Sequence, residues 1–256
     1  MKVEFEHLTV EKDGPIARLT LNRPERLNAM HYDATRDLDA VTQLLDEDRD
    51  VRLVTIEGEG RAFCSGIDLK EMAAGNIDMR FFPPWERAMR RLELMDAIVI
   101  SLMHGYSIGG GLQIGLASDI RVSTPTSQMG LTAIAESFLP GLGTWRLARY
   151  IGMGRAKKLN ILGNLIDGEE ALRIGLVDHL VDDETKDEEF EALIEDYMAA
   201  NSKGARLTKR ATVDAFDLDY EAFLAQYLDL QQQALEHPDH DEAKDALNED
   251  RPPVWS

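Results

Sequence analysis

Three observations predict an α/β fold, with a parallel sheet followed by a helical C-terminal region. Up to about Gly141, strand-like apolar runs alternate with helical stretches. Beyond it the pattern turns almost wholly helical. The chain has 256 residues, 44% of them hydrophobic, enough to bury a substantial core. In order, "VEFEHLTVE" and "GPIARLTLN", separated by Lys12, Asp13 and Gly14, predict an early hairpin. Tyr32 to Asp48 is amphipathic, with Leu38, Val41, Leu44 and Leu45 at helical spacing. "VRLVTIEG" reads as a buried strand and is followed by the turn-rich "EGRAFCSGID". The helical "PWERAMRRLELMD" leads into a second buried strand, "AIVISLMHG". Next come a glycine triplet with an apolar helix behind it and a third strand, "DIRVSTP". "TWRLARYIG", "GRAKKLNILG", "DGEEALRIG" and long acidic helices complete the chain, with "LVDHLVD" the one strand-like interruption. Composition shifts near residue 183. The division expected is a core over 1–197 and a helical region over 198–256, packed on its own core or on a neighbouring subunit.

The formal net charge of −19, from 47 acidic and 28 basic residues, disfavours a nucleic-acid partner. It reads as a solvated, solubilising surface, or as adaptation to high salt. An anionic ligand needs a local basic cluster and backbone N–H groups, held against the global field. No apolar run reaches the roughly 18 residues of a membrane helix, so no membrane partner is expected. The alternating, charged N-terminus reads as a strand and not as a signal peptide. The single cysteine, Cys64, excludes an internal disulfide and fits a reducing, cytoplasmic setting.

Two strand-to-helix joints carry the chemistry. In "HGYSIGGGLQIGL", residues 104–116, three glycines precede a helix although glycine is the poorest ordinary helix former. A helix start exposes unpaired N–H groups and favours negative charge, so bare backbone here suits an oxyanion hole. Close helix–sheet packing demands glycine equally. The second joint, "GEGRAFCSGIDLKEM", residues 58–72, turns through Gly66. Two such joints on neighbouring strands can aim two N–H donors at one carbonyl oxygen. Asp68 then caps the helix or serves the site, and Lys70 is a surface group or a phosphate partner. No G-x-G-x-x-G is present, and "GMGRAKKLN" lacks the G-K-[ST] ending of a phosphate loop.

Five segments, in order along almost the whole chain, resemble the crotonase superfamily, the enoyl-CoA hydratase/isomerase family. They are "LTLNRPERLNAM", "GRAFCSGIDLKEM", "HGYSIGGGLQIGLASDIRVS", "LPGLGTWRLARYIGMGRAKKLNILG" and "EALRIGLVDHLV". The resemblance implies a spiral of ββα/βαβ turns and a helical C-terminal trimerisation region, assembled as a homotrimer or a dimer of trimers. It implies an acyl-CoA thioester as substrate, with no metal and no cofactor beyond the coenzyme A of that substrate. By position, the N–H groups of Ile67 and Gly110 are its oxyanion donors. Arg26 and Lys70 fall near the CoA phosphates. Ala29, Ala62, Ser65, Asp68 and Leu69 fall on the segments of the CoA cleft. Phe81, Phe82 and Trp85 fall where the family varies its acyl pocket, though core packing serves equally for them.

Hydratases of this family use two glutamates, and here both expected places hold something else. The first is Gln113, whose amide orients groups by hydrogen bonds but cannot act as a carboxylate base. Counting back from Pro140 puts Ala133 at the second. Glu136, three residues later, is the nearby acid able to act alone. An isomerase, decarboxylase or other lyase therefore fits better than efficient two-glutamate hydration. The alternative is a non-catalytic acyl-CoA-binding or assembly protein. Elsewhere, His104 reads as buried and bonded to backbone, and His31 as a cap or surface group. Tyr106 reads as a packed residue, and Cys64 as a small buried residue without an activating base.

Overall fold

The structure, a computed structural model, describes residues 2–256. Its first strands differ from the expected single hairpin arm. "VEFEHLTVE" is split into β1 (Lys2–Glu4) and β2 (Leu8–Asp13), which pair antiparallel with Val3 opposite Val10. The chain reverses between them through a turn closed by Phe5 N–H donating to Leu8 O at 2.9 Å. That turn holds no glycine, proline, asparagine or aspartate, so alternation runs through it unmarked. β2 and β3 (Ile16–Leu21) then form the expected antiparallel hairpin.

From β3 onward the main sheet is parallel. α1 (Tyr32–Glu47) crosses to β4 (Leu53–Gly58), and α2 (Leu69–Ala73) with α3 (Phe82–Leu94) leads to β5 (Ile98–Met103). After β6 (Tyr106–Ile108), α4 (Gly110–Ala117) leads to β7 (Ile120–Ser123). Further on come β8 (Gln128–Gly130), α5 (Gly143–Ile151), α6 (Met153–Leu162), β9 (Ile166–Asp167), α7 (Gly168–Ile174) and β10 (His179–Leu180). The seven-stranded order is β1-β2-β3-β4-β5-β7-β10. β6, β8 and β9 build a second, three-stranded sheet, each with only two or three residues. Runs that short carry no readable periodicity, which is why the sequence did not reveal this sheet.

Period-two alternation gives the main sheet two apolar faces. Val54, Ile56 and Val99 join the larger core with Leu38 of α1 and Leu92 of α3. Leu53, Ile100 and Leu102 face the other way, onto Phe190 and Ile194 of α8 (Lys186–Ala200). The expected boundary at 197/198 lies within the last turn of α8. α9 (Lys203–Asp217) follows and is seated by buried Lys209, whose Nζ donates to the carbonyls of Leu92 and Ala97 and pairs with Asp119 at 2.7 Å. Burial pushes the Asp119 carboxyl up, against the pull of Lys209. α10 (Tyr220–Glu236) and α11 (Pro238–Glu249) end the chain, and Leu230 is the one buried residue of α10. Among the described residues, no helix is long and apolar enough to cross a membrane.

Candidate functional site

Both glycine joints end at one place. The loop after β4 lies along β6: Cys64 N–H donates to Tyr106 O, and Ile108 N–H to Cys64 O, each at 2.9 Å. Gly66 sits where this loop meets the start of α4. A Cβ there would stand 2.8 Å from Ile108 O and 3.3 Å from Gly110 N, and φ is +92°, so only glycine fits. The triplet divides its work. Gly109 supplies φ +54° and donates to Gly130 O at 2.8 Å. A Cβ on Gly111 would overlap the Cys64 carbonyl, so this glycine serves close packing. Gly110 is open to the ring of Trp85, whose Cη2 lies 3.1 Å from where a Cβ would stand. Gly110 is the first residue of α4, so its N–H has no partner within the helix. Neither it nor the Ile67 N–H donates to any acceptor among the described residues.

These two N–H groups border a cavity of about 470 Å³. Arg26, Ala29, Ser65, Ile67, Asp68, Leu69 and Lys70 form one wall, and Phe81, Phe82 and Trp85 of α3 form another. Gly110, Gln113, Ala133 and Glu136 close it. Ala62 is a correction: it is buried in the loop, 1% exposed, and takes no part in the wall. Its carbonyl accepts from Asn28 Nδ2 at 2.8 Å, so it serves the loop's fold. Both readings of the aromatic stretch hold at once, because Phe81 and Trp85 belong to the core and to the cavity wall. Arg26 and Lys70 are exposed and have no acid partner among the described residues.

The carboxylates of the wall differ in commitment. Asp68 caps α2, accepting from the N–H of Lys70 at 3.0 Å and of Glu71 at 3.4 Å, and from Arg23 Nη2 at 3.2 Å. Burial raises its pKa, but these N–H donors and Arg23 outweigh that and hold the carboxyl below its ordinary value. Glu136 is half-buried and has no hydrogen bond or ion pair among the described residues. It closes a 3-10 turn, Ala133–Glu136. In such a turn residues i and i+3 eclipse, which brings Glu136 to the wall that Ala133 occupies.

Gln113 is 7% exposed, and its Oε1 has no hydrogen-bond partner among the described residues. Its amide packs on Gly141 beside Glu86: a Cβ on Gly141 would stand 3.0 Å from Gln113 Oε1 and 3.1 Å from Glu86 Oε1. Glu86 accepts from Leu142 N–H at 3.1 Å and from Arg146 Nη1 at 2.9 Å, and fully buried Arg146 also holds Glu93 at 2.6 Å. Sequence reasoning missed Glu86, one charge among many on α3. It also missed Phe138 and Leu139 as wall residues. They lie in an irregular segment turned by Ser137 at φ +59°, for which the only sequence signal is the adjoining proline–glycine pair.

Other candidates fall outside the cavity wall. His104 Nε2 lies 3.0 Å from Gly60 O, the expected backbone bond. His31 is the N-cap residue of α1, where its carbonyl accepts from Thr35 N–H and its side chain makes no capping bond, and burial, then Arg23 and His7, hold its pKa down. Burial pushes the Cys64 thiol up to about 12, leaving it protonated and unreactive. Tyr106 is a correction: expected to pack, it is 41% exposed on the short edge strand β6. Among the described residues no group of three or more His, Cys, Asp or Glu side chains converges as metal ligands.

Comparison with known proteins places this geometry. The family pattern described as "Enoyl-CoA hydratase/isomerase" matches residues 11–256. The short-chain-enoyl-CoA hydratase of Clostridium acetobutylicum is 36% identical over 184 residues, covering 70% of each chain. The (E)-benzylidenesuccinyl-CoA hydratase of Thauera aromatica is 32% identical over 227 residues, 84% of this chain and 85% of its own. Among solved structures, the enoyl-CoA hydratase of Bacillus anthracis superposes with a TM-score of 0.90 at 28% identity, covering 98% of this chain and 99% of its own. That of Mycobacterium smegmatis gives 0.90 at 26%, with the same coverage. With a largely parallel sheet, a helical C-terminal region and both glycine joints meeting at one cavity, the chain belongs to the enoyl-CoA hydratase/isomerase family, within the crotonase superfamily.

Proposed function

We propose that this protein binds an acyl-CoA and stabilises its thioester enolate between the N–H groups of Ile67 and Gly110. We further propose that it works as an isomerase, decarboxylase or other lyase in preference to two-glutamate hydration. The observation that carries this reading is the acid content of the wall. Asp68 is spent on a helix cap and Arg23, which leaves Glu136 as the one cavity carboxylate without a partner among the described residues.

The thioester oxygen accepts from both N–H groups, and one such donor contributes about 10²–10³ in rate. In an isomerase, Glu136 takes a proton from one carbon and returns it to another, so a single acid suffices. In a decarboxylase, loss of carbon dioxide itself forms the enolate, and the site then delivers one proton. Hydration additionally requires water to be activated, and the Gln113 amide orients water without deprotonating it. Arg26 and Lys70 supply positive charge for the CoA phosphates. The exposed Leu224, Tyr227 and Leu228 of α10 support assembly as a homotrimer or a dimer of trimers.

The test compares crotonyl-CoA hydration with 3-enoyl-CoA isomerisation and thioester decarboxylation, in the purified protein and in Glu136→Gln. Rearrangement or decarboxylation is expected to exceed hydration. Glu136→Gln is expected to slow proton transfer by about 10²–10⁴ while CoA-ester affinity is kept. Rapid hydration that survives Glu136→Gln refutes the assignment. The absence of both family glutamates also favours a second reading, a non-catalytic acyl-CoA-binding or assembly protein. Saturable CoA-ester binding without turnover across the same panel would establish it.

A further inference from the structure

On the far side of α3 lies a groove of about 670 Å³, walled by the end of α1 and by α3, α9 and α10. In a chain with 47 acidic and 28 basic residues, its wall inverts the balance: seven of fifteen lining residues are lysine or arginine, and two are acids, Asp46 and Asp96. α3 separates it from the acyl cavity. Trp85 and Phe82 point to the cavity, while Arg87, Arg90 and Arg91 point to the groove.

Five of the groove's seven cations are matched by five acids. Arg87 and Arg91 both rest on Asp39, Arg90 on Glu93 and Asp217, and Arg210 on Asp214. Lys203 holds both oxygens of Asp96, at 2.9 and 3.1 Å. Arg206 is left over. It is 7% exposed, its Nη1 stands 3.6 Å from Asp96, beyond hydrogen-bond distance, and its buried Nε has no partner among the described residues. Burial, and after it the charge of Arg206, holds the pKa of neighbouring Arg52 below the usual arginine value, against the pull of Asp239. Arg49 has no ion pair among the described residues and faces the same groove.

We propose that this groove is a binding site for a multivalent oxyanion carried on a carbon frame. Arg206 offers its Nη groups to the oxygens of one phosphoryl or carboxylate group, and its buried, unpartnered Nε leaves the guanidinium charge there uncompensated. Arg49 and Arg87, exposed at the rim, take further charge. Leu94, Met95, Leu207 and Leu230 give the carbon frame an apolar floor, and Gln226 and Gln233 of α10 add neutral donors. The site is independent of the reading of the acyl cavity.

The test is calorimetric titration of the assembled protein with tripolyphosphate and with citrate, at ionic strength matched by potassium chloride. Saturable binding of either is expected, the tighter one naming phosphoryl or polycarboxylate as the ligand class. Arg206→Met combined with Arg49→Gln is expected to weaken it at least tenfold. Should that variant not fold, Arg49→Gln with Arg87→Gln, both exposed, is expected to weaken it at least threefold. Arg36→Gln, outside the groove, should leave it unchanged. Three results overturn the site: no saturable binding beyond chloride, unchanged affinity in the groove variants, or binding abolished instead by Arg26→Ala with Lys70→Ala.

Discussion

The glycine triplet permits a prediction in which stability and chemistry separate. Substituting each glycine by alanine perturbs a different feature. For Gly111→Ala the added methyl overlaps the Cys64 carbonyl, backbone against backbone, with no flexible end to yield. Such overpacking belongs to the destabilising tail of about 4 kcal/mol or more, so little folded protein is expected. Gly109→Ala is strained by φ +54°, costing about 1–3 kcal/mol. Gly110→Ala is the informative change. Its φ is ordinary, and the tight contacts of the methyl are with Trp85 Cη2 and Cζ2, at 3.1 and 3.3 Å, while Gly66 Cα at 3.6 Å is at ordinary contact distance. Trp85 is 3% exposed and stacked on Phe81, so the few tenths of an ångström it must give come at an overpacking cost. Overpacking of about 1–3 kcal/mol is offset by up to about 1 kcal/mol from the better helix former. Net destabilisation is therefore about 0–3 kcal/mol, a fall in Tm of at most about 12 °C. The N–H survives but is displaced, and the methyl enters the cavity. Enolisation, read by NMR as deuterium uptake at Cα of butanoyl-CoA, is expected to fall about 10–100-fold, below the 10²–10³ of outright donor loss. Full exchange in a folded Gly110→Ala protein would refute the assignment of Gly110 as donor.

Two further expectations follow from packing and charge. Asp68→Asn keeps a capping side chain but removes the charge paired with Arg23, so its effect depends on pH. The carboxyl is held below its ordinary value, so its stabilisation is complete above about pH 4 and is lost as pH falls through the lower folded value. Melting curves from pH 7 to 2 should show the wild type losing part of its advantage over the variant only in that acid window; a constant difference would be contrary to the reading. Phe190→Ala empties the second core under α8, at about 3–5 kcal/mol, or about 6–20 °C in Tm. Turnover per folded molecule should hold, because that core lies on the sheet face opposite α1 and α3, and a large loss of turnover would contradict this.

Long periodic elements were legible in the sequence, and short or irregular ones were not. The helix read over Tyr32 to Asp48 is found over Tyr32–Glu47, because Leu38, Val41 and Leu45 at helical spacing face one core; the fourth apolar residue of the pattern, Leu44, is 53% exposed instead. β6, β8 and β9 escaped because two or three residues cannot show a period. The glycine joints were legible as joints. Which glycine packs, which turns and which faces the cavity became clear only from distances to Cys64, Gly130 and Trp85. Counting residues from Pro140 arrives at Ala133, which lines the cavity, yet a linear count cannot show a 3-10 turn carrying Glu136 to the same wall.

Gln113 ties these observations together. Its amide and the Glu86 carboxylate converge on Gly141, each with an oxygen about 3 Å from the same point. Glu86 is fixed there by Leu142 N–H and by buried Arg146, whose positive charge is already divided between Glu86 and Glu93. Gln113→Glu would therefore bury a second carboxylate beside the first with no cation left to pair it. Like charges at that distance cannot both ionise without a large cost, so one of them would be held protonated. The neutral amide meets that constraint while keeping the shape of a glutamate. On the proposed reading, proton handling falls to a carboxylate outside this pair, and Glu136 is the cavity carboxylate without a partner among the described residues. Residue 113 is thus tied to Glu86 and Arg146 behind the wall, and the three should be mutated together as well as singly when hydration is sought in this site.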